Sequence, residues 1–375
     1  MRKFWDNIYL KIFIISLFAT FATFLVAFLG FFIYKKHLPL SITAFGGWDS
    51  AHYLYIAEHG YCNLGCGKTE AMLFIVFFPL YPFFVRIFHF FVRNYMLSSL
   101  IVSNISYTLA VFFLYKLVKK DFSHEISLRT ILLLSAFPTA YFLHVGYTEG
   151  LFLLLVVSSF YYAVNGKWLT ASLLGMLASL TRINGILLFP ALIIEYLIGK
   201  KETNGERSGK KIKGDILYTS LIPLGFLVYL LINYMYFHNP FQFMIFQRDH
   251  WGEYFSSPIN GFMGAVKGFS WRPFDDWISW EFPQILFAVF ALIIILFSLK
   301  KARASYSVFS VLSLIIILCS SFWISVPRFV VVVFPIFIYL AILARRALYF
   351  YPIIFFFLIA QIFFMTRFLA GQWAF

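Results

Sequence analysis

The stretch IFIISLFATFATFLVAFLGFFIY, residues Ile12–Tyr34, decides the fold class of this chain. A helix needs about 20 apolar residues to cross a bilayer, and this uncharged stretch is longer. Backbone groups in lipid must be satisfied within the segment, so such a stretch forms a helix. It is too long for the apolar part of a signal peptide, and no small-residue cleavage site follows it. We therefore expect a membrane-spanning helix here.

The composition extends this expectation to the whole chain. Of the 375 residues, 62% are hydrophobic and only 12% are charged, whereas soluble domains carry roughly 25% charged residues. These values exclude a soluble globule, a disordered chain, a coiled coil and a disulfide scaffold. The formal net charge of +14 would suggest nucleic acid as the partner of a soluble protein. In a membrane protein it indicates basic cytosolic loops instead, so we expect no nucleic acid.

Ten further segments are apolar enough to be candidate spans. They are Tyr95–Tyr115, Thr130–Val145, Gly150–Val164, Trp168–Thr181, Gly185–Gly199, Ile216–Phe237, Pro283–Leu299, Tyr306–Ile324, Phe329–Ala344 and Ala347–Phe368. With the first stretch, they predict an all-α polytopic integral membrane protein of about 11 transmembrane helices. No linker or fixed-period repeat divides the chain, so we expect one domain over 1–375.

The segment Met72–Val92 is apolar but is interrupted by Pro79 and Pro82. The basic stretch 200–214, the basic stretch around Lys116–Arg129 and the N-terminus all fall on the cytosolic side only if this segment does not cross. We therefore predict a juxtamembrane or re-entrant segment on the outer face. This topology gives a first outer loop over 35–94 and a second over 238–282.

Polar residues collect on the predicted outer face, whereas the helix interiors carry almost no charge. Glu195, near the inner end of its helix, is the main exception, and snorkelling would explain it. A transporter of lipid-linked sugars, which is the alternative from another class, would need a polar path through the bilayer. The distribution therefore favours chemistry at the outer boundary of the membrane.

The first polar motif is GGWDSAHYLYIAEHGY, residues 46–61. Asp49 and His52 are three residues apart and would share one face of a helix. The simpler interpretation is a helix N-terminus capped by Asp49 or Ser50, with the aromatic residues forming an interfacial belt.

Two further motifs are GYTEG at 146–150 and TRING at 181–185. Glu149 at a helix N-terminus would be favoured by the helix dipole alone. Arg182 suits an interfacial anchor, but an arginine beside Asn184 on the outer face also suits a lipid phosphate.

Cys62 and Cys66 lie four residues apart in the first outer loop. A local disulfide, a pair of free thiols, or a zinc site with His52 or His59 are all open interpretations.

Taken together and in this order, the motifs resemble the PIG-V family of mannosyltransferases, which are glycosylphosphatidylinositol mannosyltransferase-like enzymes of the GT-C superfamily. The resemblance rests on WDxxH at 48–52, IAEHGY at 56–61, Glu70, FFPLYP at 77–82, Pro138, YTE at 147–149 and RING at 182–185. A weaker likeness continues in Gln247-x-x-x-Trp251 and in Arg328-Phe329. Thr148 stands where the family usually has Ser, and Tyr53 where it has Phe.

The resemblance implies a GT-C-type fold with juxtamembrane helices in the first outer loop. It also implies a polyprenyl-phosphate sugar donor used on the non-cytosolic side, with an essential acid after the first helix, where Asp49 lies. A GT-C transferase for another sugar is the nearer alternative. We expect the acceptor to be a glycolipid or glycan, and membrane lipids to be further partners. The expected location is a prokaryotic cell membrane with the site outward, or the endoplasmic reticulum with the site in the lumen.

Glycosyl transfer needs a base for the acceptor hydroxyl, an oxocarbenium-like transition state and a group that holds the leaving phosphate. We expect Asp49 to be the base and His52 to orient it or the acceptor. Arg182 would bind the phosphate, with Arg328 or Arg248 as substitutes. The further substrate-binding candidates are Glu70, Glu149, Asn184, Gln247 and Trp251. Since arginine would hold the phosphate, we expect no cofactor and no divalent metal.

Overall fold

The computed structural model describes residues 8–35, 41–61, 74–198, 214–271, 273–299, 301 and 303–375. Within these ranges the regular structure is helical, apart from one isolated antiparallel bridge between Phe255 and Ser320. The α-helices are α1 Ile8–Lys35, α2 Asp49–His59, α3 Leu80–Val92, α4 Tyr95–Val118, α5 His124–Ala136, α6 Glu149–Val164, α7 Trp168–Ser179, α8 Leu188–Ile198, α9 Leu221–Phe237, α10 Gln242–Trp251, α11 Pro258–Trp271, α12 Phe274–Ser298, α13 Ala304–Leu318, α14 Val326–Val330, α15 Pro335–Leu343 and α16 Ala347–Leu369. Short 3₁₀ helices cover Ile42–Gly46, Ala140–Leu143, Ile183–Leu187 and Gly214–Ser220.

Five described helices are long and apolar enough to cross a membrane. Their apolar segments are Leu10–Leu29, Tyr95–Val118, Gly214–Phe237, Ser279–Ser298 and Ala347–Leu369, and the third of these joins the 3₁₀ helix Gly214–Ser220 to α9. Five further apolar helices are shorter, at 10–17 residues. The predicted all-α, multi-pass architecture is therefore confirmed, but several predicted crossings are not single long helices.

Two predicted spans are wrong as continuous helices because prolines interrupt them. In the segment 130–145, α5 ends at Ala136, and Phe137 is extended before Pro138, the conformation that a following proline favours. In the segment 329–344, the chain forms α14 and then α15, which begins at Pro335. The predicted span 306–324 is also too long, since α13 ends at Leu318.

The helix α3 lies in the segment predicted not to cross. Its 13 residues span only about 20 Å, less than the hydrocarbon thickness. Phe83, Ile87, Phe90 and Phe91 are exposed on one side of it, as a helix lying along a lipid surface requires. Residues 62–73, and with them Glu70, Cys62 and Cys66, lie outside the described residues.

The second predicted outer loop, 238–282, is largely helical. It contains α10, α11 and the start of α12, which begins at Phe274 and carries Pro283 inside the helix. On α11 the side chains of Ile259, Phe262, Val266 and Phe269 are exposed. That apolar stripe is typical of an amphipathic helix at a membrane interface.

At the end of the bundle where α4 and α8 finish and α13 begins, Arg303 joins three elements. Its guanidinium binds Asp121 at 2.6 and 2.7 Å and Glu195 at 2.7 Å, and Ser305 donates to Glu195 at 2.6 Å. The interpretation of Glu195 as a snorkelling side chain is therefore wrong. Its carboxylate is buried and paired, and it ties α8 to α13.

Candidate active site

A cavity of about 890 Å³ opens at the other end of the bundle. Residues from α2, α10, α14, the turn before α8 and the segment 319–325 meet there. The acidic, basic, histidine and amide side chains that line the cavity are Asp49, His52, Arg182, Asn184, Gln247, Arg248, Glu253 and Arg328. We call this end of the molecule the site end.

Asp49 is the first residue of α2, and the backbone before it is held in an unusual conformation. Trp48 has φ 56°, a region that side-chain-bearing residues rarely adopt and that persists only where surrounding contacts enforce it. The Tyr147 hydroxyl donates to the Gly47 carbonyl at 2.9 Å, and the Trp48 ring packs edge-on against Trp373 at 5.0 Å. These contacts fix the start of α2 and hence the position of the Asp49 carboxylate.

Four charged side chains form a continuous chain of ion pairs. Arg328 Nη1 lies 2.7 Å from Asp49 Oδ2, and Arg328 Nε lies 3.2 Å from Glu149 Oε1, off the hydrogen-bonding direction. Glu149 Oε1 also accepts from Arg182 Nη1 at 2.5 Å. The order is thus Asp49, Arg328, Glu149, Arg182, and the formal charges cancel.

The two ends of this chain are more accessible than its middle. The side chains of Asp49 and Arg182 are 33% and 15% exposed, whereas those of Arg328 and Glu149 are 9% and 0% exposed. Asp49 and Arg182 therefore present a carboxylate and a guanidinium to the cavity. Glu149 is absent from the cavity lining and lies behind the two arginines.

Local backbone features place the charged residues of the site, which come from distant parts of the chain, next to one another. Glu149 begins α6, where the helix dipole favours a carboxylate. Arg182 follows α7 in a turn so tight that a Cβ on Gly185 would lie 2.3 Å from the Ala178 carbonyl carbon. Arg328 follows Ser325, which has φ 60°, in the short helix α14. The Gln284 side chain accepts from the Val326 N–H at 2.8 Å and anchors that helix.

Aromatic rings surround the two guanidinium groups. Arg328 Cζ lies 5.0 to 5.5 Å from the ring centres of Phe142, Tyr147 and Phe329, and Arg182 Cζ lies 5.0 Å from that of Phe329. Such rings attract a cation while keeping water away from it, and arginine tolerates this well. The arrangement strengthens the interaction of both cations with any anion entering the cavity.

His52 lies on the cavity wall one turn after Asp49. Its imidazole stacks on Phe77, with ring centres 4.7 Å apart, and meets Trp251 edge-on at 6.4 Å. Burial lowers the pKa of His52, and the nearby Asp49 carboxylate only partly opposes that shift. The imidazole is therefore neutral at pH 7 and can accept or donate a hydrogen bond.

Glu253 is a cavity residue that we did not select from the sequence. Its carboxylate accepts from Gln247 Nε2 at 2.8 Å and from the Ser320 hydroxyl at 3.2 Å. The backbone around it pairs with residues 319–321, through Ser256 N–H to the Cys319 carbonyl and Ser321 N–H to the Tyr254 carbonyl. No motif marks Glu253, and its place among the acidic residues of the second outer loop was the one available signal.

The pKa of Glu253 gives a prediction about pH and stability. Burial raises this pKa above its ordinary value, against the two hydrogen bonds, which lower it. Folding therefore favours the neutral form of the Glu253 carboxyl. As pH rises through the pKa that Glu253 has in the folded protein, the group becomes charged and the native chain loses this stabilisation. We expect Glu253→Gln, which is neutral at every pH, to gain thermal stability relative to the native chain between pH 4.5 and pH 8. Melting temperatures in detergent over this range test it, and a difference that does not change with pH would contradict it.

Residues 371–375 close one side of the cavity and were also missed. Trp373 stacks on Trp280 at 5.0 Å, and the Tyr141 hydroxyl donates to the Ala374 carbonyl at 2.5 Å. Trp373 and Phe375 line the cavity beside Trp48. The sequence offered no periodic pattern by which to place this segment.

The cavity brings together most of the residues selected from the sequence. Those that line it are Asp49, His52, Arg182, Asn184, Gln247, Trp251 and Arg328. Glu149 lies behind the arginines, and Glu70 lies outside the described residues. Within the described part of the chain, no three His, Cys, Asp or Glu side chains are placed to hold a metal ion. The metal-free reaction stays a prediction.

Residues 78–227 match the family described as dolichyl-phosphate-mannose-protein mannosyltransferase. The matched part is about two-fifths of the chain and includes Glu149 and Arg182 but not Asp49 or Arg328. No curated protein sequence matches the chain. The family match indicates a glycosyltransferase.

Among solved structures, the chain is similar to ArnT from Cupriavidus metallidurans bound to undecaprenyl phosphate. The sequence identity is 14%, the TM-score is 0.52, and the match covers 90% of this chain and 61% of ArnT. The chain thus spans about three-fifths of the length of ArnT. It is also similar to the Archaeoglobus fulgidus oligosaccharyltransferase tethered to an acceptor peptide, at 14% identity and a TM-score of 0.48, over 99% of this chain and 55% of that one. The likeness to ArnT shows the fold, and the predicted GT-C-type fold is confirmed.

Proposed function

We propose that this chain is an inverting membrane glycosyltransferase that moves a sugar from a polyprenyl-phosphate donor to a hydroxyl of a lipid-linked or surface glycan. The observation that carries the proposal is a carboxylate and a guanidinium facing one cavity, at the two ends of a neutral chain of ion pairs. Transfer needs a proton acceptor near the attacking hydroxyl and a cation near the leaving phosphate. The cavity supplies both.

Asp49 is the proposed general base. Arg328 engages Asp49 Oδ2, so Oδ1 is left to accept the acceptor proton. The acceptor oxygen then forms a bond to the anomeric carbon as the bond to the phosphate oxygen breaks on the opposite face. The proton moves to Asp49, the electron pair of the broken bond leaves with the phosphate, and a single displacement inverts the anomeric configuration.

Arg182 is the proposed phosphate ligand, together with Asn184. Its Nη1 is occupied by Glu149 and Thr148, at 2.5 and 2.9 Å. The guanidinium has three further N–H groups in a planar fork, and the residue lines the cavity. Glu149 then acts by holding Arg182 and Arg328 in place rather than by touching the sugar.

The finer assignments rest on the resemblance and on the comparisons. The PIG-V resemblance and the family match both favour mannose as the sugar. The undecaprenyl phosphate bound to ArnT supports a polyprenyl-phosphate donor. We assign His52, Gln247, Trp251 and Glu70 to the sugar or the acceptor, and the site end to the non-cytosolic side of a prokaryotic membrane or the lumenal side of the endoplasmic reticulum.

The proposal is tested with the purified full-length protein in liposomes that contain polyprenyl-phosphate mannose and a glycolipid extract. We expect free polyprenyl phosphate and mannosylated lipid to form in equal amounts. The anomeric configuration of mannose in the product should be opposite to that in the donor. Transfer from a nucleotide sugar alone, or a product with retained configuration, would contradict the proposal.

The role of Arg182 gives a separate kinetic prediction. Arg182→Lys keeps the charge but loses the planar fork, so the apparent KM for the polyprenyl-phosphate donor should rise about tenfold or more. The matched control is Arg93→Lys, because Arg93 is exposed and does not line the cavity, so its variant should keep the native KM. Steady-state kinetics over donor concentration measure both. A KM unchanged in the Arg182 variant would remove this residue from the donor site.

A further inference from the structure

A second recess, of about 640 Å³, lies at the end of the bundle opposite the candidate active site. The start of α5, the link between α12 and α13, and the link between α15 and α16 form its walls. The residues that line it are Phe122, Ser123, Glu125, Ile126, Lys301, Ile342, Arg345 and Arg346. None of them takes part in the proposed transfer reaction.

The recess holds an excess of positive charge. Lys301, Arg345 and Arg346 are exposed, and none of the three forms an ion pair with a carboxylate in the described part of the chain. Three cations that line one recess and have no carboxylate partner among the described residues repel one another, and an anion bound between them would remove that repulsion. The recess is therefore suited to a ligand with one or more negative charges.

Among the described residues, Glu125 is the one carboxylate in the lining, and a residue outside the lining neutralises it. Arg129 Nη2 binds Glu125 Oε1 at 2.5 Å, and Arg129 Nη1 donates to the Ala344 carbonyl at 2.6 Å, at the end of α15. The same arginine thus fixes one edge of the recess and cancels the charge that would repel an anion.

The surroundings indicate a lipid rather than a soluble anion. Phe122, Ile126 and Ile342 make part of the wall apolar. Beside the recess, Leu343 and Leu348 are 39% and 76% exposed at the end of α15 and the start of α16. In a membrane protein such exposed apolar side chains contact acyl chains, and basic pockets between transmembrane helices on the cytoplasmic side, where we expect this end to lie, suit acidic headgroups.

We propose that this recess binds the headgroup of an anionic phospholipid. Lys301, Arg345 and Arg346 hold the phosphate oxygens, and the acyl chains run along Leu343 and Leu348. The inference is independent of the transfer reaction, so its test uses lipid binding and not activity.

The test is native mass spectrometry of the purified full-length protein with phosphatidylglycerol, and with phosphatidylcholine as the neutral lipid. Each basic residue near an anionic surface contributes about a fivefold factor, reduced by salt. We expect the triple variant K301Q/R345Q/R346Q to bind phosphatidylglycerol at least about tenfold more weakly. The matched control K119Q/K120Q/K167Q removes three exposed charges from other positions at the same end and should change binding less than about twofold.

A gain of binding provides a second criterion that misfolding cannot imitate. Glu125→Gln removes the carboxylate that lines the recess in the described part of the chain and frees Arg129, so this variant should bind phosphatidylglycerol more tightly than the native protein does. Equal binding of phosphatidylglycerol and phosphatidylcholine, or equal losses in the two triple variants, would overturn the proposal. Full displacement of phosphatidylglycerol by inorganic phosphate would likewise overturn it, in favour of a soluble-anion site.

Discussion

Asp49→Asn should reduce kcat for sugar transfer by about 10³-fold, within the range by which a positioned base accelerates proton transfer. The amide has the shape of the carboxylate and can still accept a hydrogen bond from Arg328, but it cannot take the acceptor proton. The donor KM should change little, because Arg182 and not Asp49 holds the phosphate. Donor-saturated transfer assays in liposomes measure both constants.

The matched control is Glu58→Gln, which makes the same chemical change on the same helix. Glu58 is exposed and is absent from the cavity lining, so its variant should keep at least half of the native rate. The melting temperature of Asp49→Asn checks that the helix start is intact. A variant that folds normally and keeps more than about a tenth of the native kcat would refute the assignment of Asp49 as the base.

The sequence predicted the membrane architecture because the signal is one of composition. Long apolar runs such as Ile12–Tyr34 identify spanning helices without any tertiary information. Shorter spans were harder to predict. The run 130–145 has the hydropathy of a membrane span, but its helix ends just before Pro138. One proline hardly changes an average hydropathy, but it ends the helix, because it lacks a backbone N–H and restricts the residue before it.

For the site, the motifs identify several of the residues but not which of them pair. Motifs selected Asp49, Glu149, Arg182 and Arg328, yet Arg328 was expected only as a substitute phosphate ligand. Arg328 and Asp49 are 279 positions apart, and no local pattern shows that they pair. Glu253 is placed by backbone pairing between two loops, which carries no sequence period, so it escaped selection altogether.

Glu149 contacts both arginines of the ion-pair chain, so among its four residues we expect the loss of Glu149 to lower stability the most. Glu149 is fully buried between Arg182 and Arg328. In the described part of the chain, Glu149→Gln would leave these two guanidinium groups with Asp49 as their one carboxylate partner. Breaking a buried ion pair by removing one member costs about 3–5 kcal/mol, because the remaining charge stays desolvated. We expect the melting temperature in detergent to fall by about 5 °C or more, and transfer to fall with it.

A second substitution separates this electrostatic role from simple loss of packing. In the double variant Glu149→Gln/Arg328→Gln, one cation is removed with the anion, so Asp49 and Arg182 are left with cancelling charges. The double variant should recover most of the lost thermal stability, although transfer stays low because Asp49 is no longer held by Arg328. Such non-additivity is expected only for residues that share one network. If the double variant is as unstable as the sum of the two single variants, then Glu149 stabilises the site by packing and not by balancing the two arginines.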